Sequence, residues 1–104
     1  MSYAQPAFRA LSDPTRREIL HLLRGQDLSI AEIAENFDMT RAAVKKHLTI
    51  LTEGGLITVR TEGRERINTL HPQGIEPVLD WLSYFDRFWD DRLAALKAEI
   101  ERKD

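Results

Sequence analysis

Three basic side chains lie close together in the stretch 40–51, TRAAVKKHLTIL: Arg41, Lys45 and Lys46. In the same stretch, apolar residues recur at i, i+4 and i+7, which predicts an amphipathic helix with its cations on the outer face. A helix that is apolar behind and basic in front can enter a major groove and contact phosphates and base edges. The alternative is an ordinary solvated face.

This stretch carries the signals of a separate helix. Thr40 supplies the hydroxyl of an N-cap, and Gly54 and Gly55 end the helix, one of them in the left-handed conformation. Upstream, Ser29 and Glu32 have the spacing of a capping box, so a shorter helix comes first. Two short helices joined by a tight turn, the second of them basic, predict a helix-turn-helix over residues 29–54.

A β-hairpin is expected directly after the helix-turn-helix. Two runs rich in β-formers lie within residues 56–70 and flank a turn at 62–65 that contains glycine. Alternate apolar residues can face the core while Arg60, Arg64 and Arg66 stay outside. A hairpin that carries arginine beside a helix-turn-helix predicts a wing, which reaches phosphates or the adjacent minor groove.

The C-terminal part of the chain has a broad stripe of aromatic and aliphatic residues at helical spacing, predicted here as one helix over residues 75–103. One side of a small domain cannot cover so broad a face, which favours a homodimer formed together with the first helix, residues 1–12. An alternative is that the stripe lines a pocket for an apolar effector. The predicted interface residues are Phe8, Leu11, Trp81, Leu82, Phe85, Phe88, Trp89, Leu93 and Leu96.

The charge distribution supports nucleic-acid binding more strongly than the total charge does. The 104 residues carry a formal net charge of −2, which is unusual for a DNA-binding protein. Residues 39–71, however, hold six Arg or Lys against three Asp or Glu. A local basic surface on an otherwise acidic protein can still bind phosphates.

Several functional classes have little support in the sequence. There is no cysteine, the three histidines form no i, i+4 pair, and the C-terminal carboxylates alone would bind hard ions only weakly. We therefore expect no metal and no cofactor. No nucleophile and base are suitably placed and no glycine-rich phosphate loop is present, so an enzyme is not expected. Without a signal peptide or a membrane-spanning run, the predicted location is the cytoplasm.

Four phrases of the sequence resemble the ArsR family of bacterial winged-helix repressors over essentially the whole chain. They are ALSDPTRREILHLL at 10–23, SIAEIAENF at 29–37, TRAAVKKHLTILTEGGLI at 40–57 and EGRERINTL at 62–70. The C-terminal phrase DRFWDDRLAALKAEI at 86–100 is similar to that of the branch without metal-binding cysteines. The resemblance implies a dimer whose two reading helices enter successive major grooves of a palindromic operator and repress transcription.

The resemblance also implies roles for individual residues. Facing DNA would be Thr40, Arg41, Ala42, Lys45 and Lys46, while His47 would touch a phosphate or pack near the turn. Thr49 is assigned to DNA because its helical position places it on the same outer face as these cations. Members of the family usually have a small polar residue where this chain has Lys45, so its contact could be a guanine edge or a phosphate. Control would come from a partner protein or from the abundance of the repressor itself.

The combined prediction is a single α+β domain, residues 1–104, that is mostly helical. It is a winged helix-turn-helix in the order α-α-α-α-β-β-α, acting as a homodimer on double-stranded promoter DNA. Two alternatives remain open. One is a winged-helix module in which the basic helix binds an acidic protein, and the other is a sensor that responds to a metal or a small molecule.

Overall fold

The computed structural model describes residues 4–102, which form helices around a small three-stranded sheet. Residues 1–3 and 103, which belong to the predicted dimerisation segments, lie outside the described residues. In chain order the elements are α1 (Gln5–Leu11), α2 (Pro14–Leu22), β1 (Leu28–Ser29), α3 (Ile30–Ala34), α4 (Arg41–Glu53), β2 (Ile57–Glu62), β3 (Glu65–Leu70), a 3₁₀ turn (Pro72–Ile75), α5 (Glu76–Ser83) and α6 (Asp86–Arg102).

Local side-chain caps determine where α2, α3 and α4 begin. The Asp13 carboxylate accepts a hydrogen bond from the Arg16 backbone at 3.1 Å, and this bond contributes most to holding the pKa of Asp13 below its ordinary value. Ser29 and Glu32 form the predicted capping box at the start of α3. Thr40 accepts a hydrogen bond from the Ala43 backbone at 3.1 Å, so α4 begins where the sequence predicts.

Burial of its apolar side holds α4 in place. Val44, Leu48 and Leu51 are buried, and they belong to the same core as Ile19 of α2 and Ile33 of α3. The helix ends at Glu53, and Gly55 follows with a φ of +76°, the left-handed conformation expected of a glycine after a helix. The outer face of α4 is therefore presented by a rigid, closely packed element.

The sheet contains one strand that the sequence did not reveal. Strand order is β1-β3-β2 with both pairings antiparallel, and the hairpin runs from Ile57 opposite Leu70 to Glu62 opposite Glu65. The additional strand β1 has only two residues, too few for an alternating pattern. Buried Asn68 ties this strand to the hairpin, because its side-chain amide donates to the Leu28 carbonyl at 3.1 Å.

The C-terminal region differs from the predicted single helix because α5 and α6 are separated at residues 84–85. The backbone amides of Tyr84 and Phe85 bond to carbonyls three residues earlier, which tightens the end of α5 in the manner of a 3₁₀ turn. Ser83 adds a side-chain bond to the Asp80 carbonyl. The apolar spacing continues across this break, so periodicity could not locate it.

Helix α6 projects from the domain. None of its 17 residues is buried, although it carries the large apolar side chains Trp89, Leu93 and Leu96. The radius of gyration is 18.1 Å, against about 13 Å expected for a compact chain of roughly 100 residues. An amphipathic helix with an exposed apolar stripe therefore lies outside the core to which the other elements contribute.

The end of α4 meets the turn before α5 at an unusually close backbone contact, which gives a first prediction. A Cβ atom at Gly74 would lie 1.8 Å from the Gly55 carbonyl oxygen, whereas a Cβ at Gly25 would meet nothing within 4 Å. We expect Gly74→Ala to lower the free energy of unfolding by about 3 kcal/mol because backbone must move to admit the methyl group.

Gly25→Ala is the matched control for this prediction. Gly25 has a φ of +76°, so the substitution costs about 1 kcal/mol of backbone strain without a collision. Urea denaturation of both variants at the same protein concentration measures the difference. Equal losses in the two variants would show that the contact between Gly74 and Gly55 can relax freely.

Candidate nucleic-acid interface

The outer face of α4 is exposed along its length, as a surface that reads DNA must be. Thr40, at the N-cap, is also exposed. The exposed residues of this face that the sequence assigned to DNA are Arg41, Ala42, Lys45, Lys46 and Thr49. We call these six residues the reading face.

The cations of the reading face are not neutralised within the protein. Among the described residues, none forms an ion pair or a hydrogen bond with the side chains of Arg41, Lys45 or Lys46. Binding to a phosphate would therefore break no existing salt bridge. This favours a site that is ready for an anion over a face already satisfied by neighbouring acids.

The two hydroxyl groups of the reading face differ in the hydrogen bonds that they can still form with DNA. The Thr40 oxygen accepts from the Ala43 backbone, which leaves its O–H free to donate to a phosphate. The Thr49 hydroxyl instead donates to the Lys45 carbonyl at 3.0 Å within the helix. Thr49 can accept a hydrogen bond from a base amine, but it could donate to a phosphate only by giving up that internal bond.

His47 is half-buried on the side of α4 that faces the start of α2. Its Nδ1 lies 3.3 Å from an Arg16 guanidinium nitrogen and 3.9 Å from an Asp13 carboxylate oxygen. Arg16 is itself buried and donates to the carbonyls of Ala10 and Arg9 at 2.8 and 2.9 Å. These contacts favour packing, the second of the two roles that the resemblance implied for His47.

The wing places two of its arginines in solvent. Arg64 and Arg66 are exposed and form no ion pair with the described residues. Arg66 also borders a cleft of about 370 Å³ between the wing and α4, together with Lys45 and Thr49. The wing and the reading face are therefore two sides of one basic groove.

Arg60, the third wing arginine, is held by acids of the same chain. Its guanidinium lies 2.9 Å from an Asp27 carboxylate oxygen and 3.1 Å from Glu62, and it donates to the Thr69 hydroxyl at 3.0 Å. The hydrogen bond to Asp27, followed by that to Glu62, raises the pKa of Arg60 above its ordinary value. Its contacts tie the hairpin to the loop before β1, and its charge is largely compensated.

This difference among the wing arginines gives a second prediction. Arg64→Ala removes an unpaired cation and should lower the affinity for duplex DNA by about tenfold, since a cation available for phosphate contact is lost. Arg60→Ala should lower it by less than about threefold, because Asp27 and Glu62 already occupy that guanidinium. Fluorescence anisotropy with labelled operator measures both. A larger effect at Arg60 than at Arg64 would contradict this assignment.

A second exposed surface is formed by the residues assigned to dimerisation. Phe8 and Leu11 on α1 are partly buried, and the Phe8 ring meets Trp81 edge to face at 5.6 Å. Trp81 in turn lies 4.9 Å from Phe85, which places α1 and α5 side by side. Beyond this cluster, the other residues assigned to dimerisation are all exposed: Leu82, Phe88, Trp89, Leu93 and Leu96. Leu79 and Ile100 are exposed as well.

Neither a candidate metal-binding cluster nor a membrane-spanning helix is found among the described residues. Within residues 4–102, no three His, Cys, Asp or Glu side chains are grouped so that they could hold a metal ion. In the same part of the chain, no helix is both long enough and apolar enough to span a bilayer.

The structure combines a basic helix whose opposite side is buried, a short capped helix before it and an arginine-bearing hairpin after it. This arrangement defines a winged helix-turn-helix DNA-binding protein. Comparison with known proteins agrees. The family described as "Helix-turn-helix domain" (HTH_20) matches residues 11–60. The transcriptional repressor SdpR of Bacillus subtilis is 34% identical over 86 residues, which cover 83% of this chain and 96% of that protein.

Other relatives extend the match over nearly the whole chain. The HTH-type transcriptional regulator Rv2034 of Mycobacterium tuberculosis is 36% identical over 102 residues, which cover 96% of this chain and 92% of that protein. A solved ArsR family transcriptional regulator, RHA00566, superposes with a TM-score of 0.75 at 31% identity, covering 83% of this chain and 94% of its own. The chain belongs to the ArsR family, and it is a DNA-binding transcriptional regulator.

Proposed function

We propose that this protein is a repressor that binds a palindromic operator as a homodimer and blocks transcription by occupying a promoter. The observation that carries the proposal is the reading face: exposed, unpaired cations on a helix whose opposite side is buried in the core. Relatives named as repressors include SdpR and the arsenical resistance operon repressor of Staphylococcus xylosus. Their names support repression rather than activation of transcription. A regulator of chromosomal promoters would act in the cytoplasm.

Contacts with DNA divide between the reading face and the wing. Arg41, Lys45 and Lys46 are the residues with the length and charge to reach base edges or phosphates in the major groove. Thr40 can add a hydroxyl donor to a phosphate at the start of α4. Arg64 and Arg66 extend the contact to the flanking backbone or minor groove, since both are exposed on the wing and Arg66 borders the cleft that also contains Lys45.

The apolar surface that the described chain leaves uncovered supports the proposed homodimer. Leu93 on α6 is 60% exposed and Ile100, two turns further on, is 58% exposed, although both side chains are wholly apolar. Burial of each such side chain contributes about 1.5 to 3 kcal/mol. A second copy, related by a twofold axis, offers the same stripe and covers both at once.

Footprinting of the region upstream of its own gene tests the proposed function. Two protected half-sites are expected, their centres one helical turn or a whole multiple of it apart, about 10 bp for one turn, because the two reading helices enter the same side of the duplex. If the protein protects no DNA and instead captures an acidic protein through Arg41, Lys45 and Lys46, it is an interaction module and the proposal fails.

A further inference from the structure

A cavity of about 580 Å³ lies behind the reading helix, away from the reading face and the α6 stripe. Its walls are apolar and come from four parts of the fold: Leu20 on α2, Leu56 in the turn after α4, Leu70 at the end of β3 and Ile75 in the 3₁₀ turn. This volume falls within the range of small-molecule binding sites, and an apolar lining is usual for them.

Three of the residues that line this cavity have polar side chains, although the lining surface is almost wholly apolar. They are Arg24, His21 and His71. None of the described residues that line it is acidic, and none of them forms an ion pair or a side-chain hydrogen bond with these three groups. An adjoining cavity includes Asp27, but that carboxylate is already paired with Arg60 at 2.9 Å. Among the described residues that line the cavity, no carboxylate therefore compensates the charge of Arg24.

We propose that this cavity binds an amphipathic organic anion, a small monocarboxylate with an apolar body. The carboxylate would accept hydrogen bonds from Arg24, assisted by the histidine rings, while the apolar body would occupy the space between Leu20, Leu56 and Ile75. The charge at the rim and the apolar walls would together select for a ligand that has both a carboxylate and an apolar body. A nucleic-acid phosphate would satisfy only the rim, and a neutral hydrocarbon would satisfy only the walls.

The position of the cavity gives binding a regulatory consequence, which rests on the proposed function. Leu56, in its wall, is the third residue after the end of α4, and its carbonyl accepts a hydrogen bond from the His71 backbone at 2.9 Å. Gly74, beside Ile75, touches the Gly55 backbone. The cavity thus lies at the joint between the reading helix and α5. An occupant that alters this joint changes how the two reading helices of a dimer are set relative to each other.

Octanoate, with octylamine as its cationic counterpart of equal length, is the probe. Amide shifts in a ¹⁵N-labelled full-length protein are expected to saturate with octanoate at Arg24, Leu56 and His71, and to change little with octylamine. Arg24→Gln should weaken octanoate binding by about fivefold or more, since a charge-assisted hydrogen bond is lost. Arg17→Gln removes a cation from α2 that does not line the cavity and should leave binding unchanged.

Three results would overturn the site: equal binding of octanoate and octylamine, equal effects of the two Arg→Gln variants, or shifts confined to the α6 stripe. Operator affinity measured with saturating octanoate should change by about fivefold or more. Binding in the cavity with no change in operator affinity would overturn the regulatory consequence. A protein that binds no operator even without octanoate would refute the proposed function, while the NMR titration would still decide the site by itself.

Discussion

Replacing Leu93 with glutamate is expected to give a monomer and to lower operator affinity by roughly 100-fold or more. Leu93 lies near the middle of the exposed stripe on α6, so in a dimer the two new carboxylates would be buried in one apolar interface. The affinity falls because two linked reading helices bind much more tightly than one, commonly by about 10² to 10⁴. Sedimentation velocity and operator titration measure the two effects on the same sample.

Ala98→Glu is the control for this substitution. Ala98 is exposed on the opposite side of the same helix, so it introduces the same charge without touching the stripe. It should remain dimeric and bind operator as the unmodified protein does. If Leu93→Glu stays dimeric, or if both variants become monomers, the dimer is not formed through the α6 stripe.

The double variant Lys45→Ala, Lys46→Ala is expected to lower operator affinity by about 100-fold or more and to flatten its salt dependence. Both lysines are exposed and unpaired, and each occurs twice in a dimer, so four cations are lost from the interface. The slope of log affinity against log salt should become shallower by about three to four. Arg87→Ala, on the outer side of α6, removes an exposed cation elsewhere and should change neither quantity.

Single variants then decide what Lys45 contacts. If its ammonium group meets a guanine edge, Lys45→Ala should cost about 1 to 3 kcal/mol on the operator and relax the preference at one base pair in each half-site. If it meets a phosphate, binding should weaken equally on all sequences. Lys45 borders the cleft that also contains Arg66, so either contact lies within reach of the basic groove. Titration of operators substituted one base pair at a time separates the two.

The parts of the fold that local chemistry determines could be predicted from the sequence. A cap depends on residues within one helical turn, so Ser29 with Glu32 and Thr40 marked the starts of α3 and α4. The helical period of Val44, Leu48 and Leu51 likewise fixed which side of α4 is buried, and hence which side is exposed. Composition and spacing were enough to locate the reading face.

Features that depend on distant parts of the chain could not be predicted. Arg60 looked like its neighbours in the wing, and the acid that holds it, Asp27, lies 33 residues earlier. The tie between Asn68 and Leu28 spans 40 residues and creates a strand that has no pattern of its own. His47 was left with two alternatives because only the folded structure brings it beside Arg16. In each case a tertiary contact determines what the side chain is free to do.

The salt dependence of binding to the promoter of its own gene tests the central claim most directly. If each subunit neutralises about three to five phosphates, affinity should fall roughly a thousandfold or more between about 50 and 200 mM salt, linearly on logarithmic axes. That result would support a dimer that uses the unpaired cations of α4 and the wing to bind DNA. Affinity that does not change with salt, or no binding at low salt, would contradict the account.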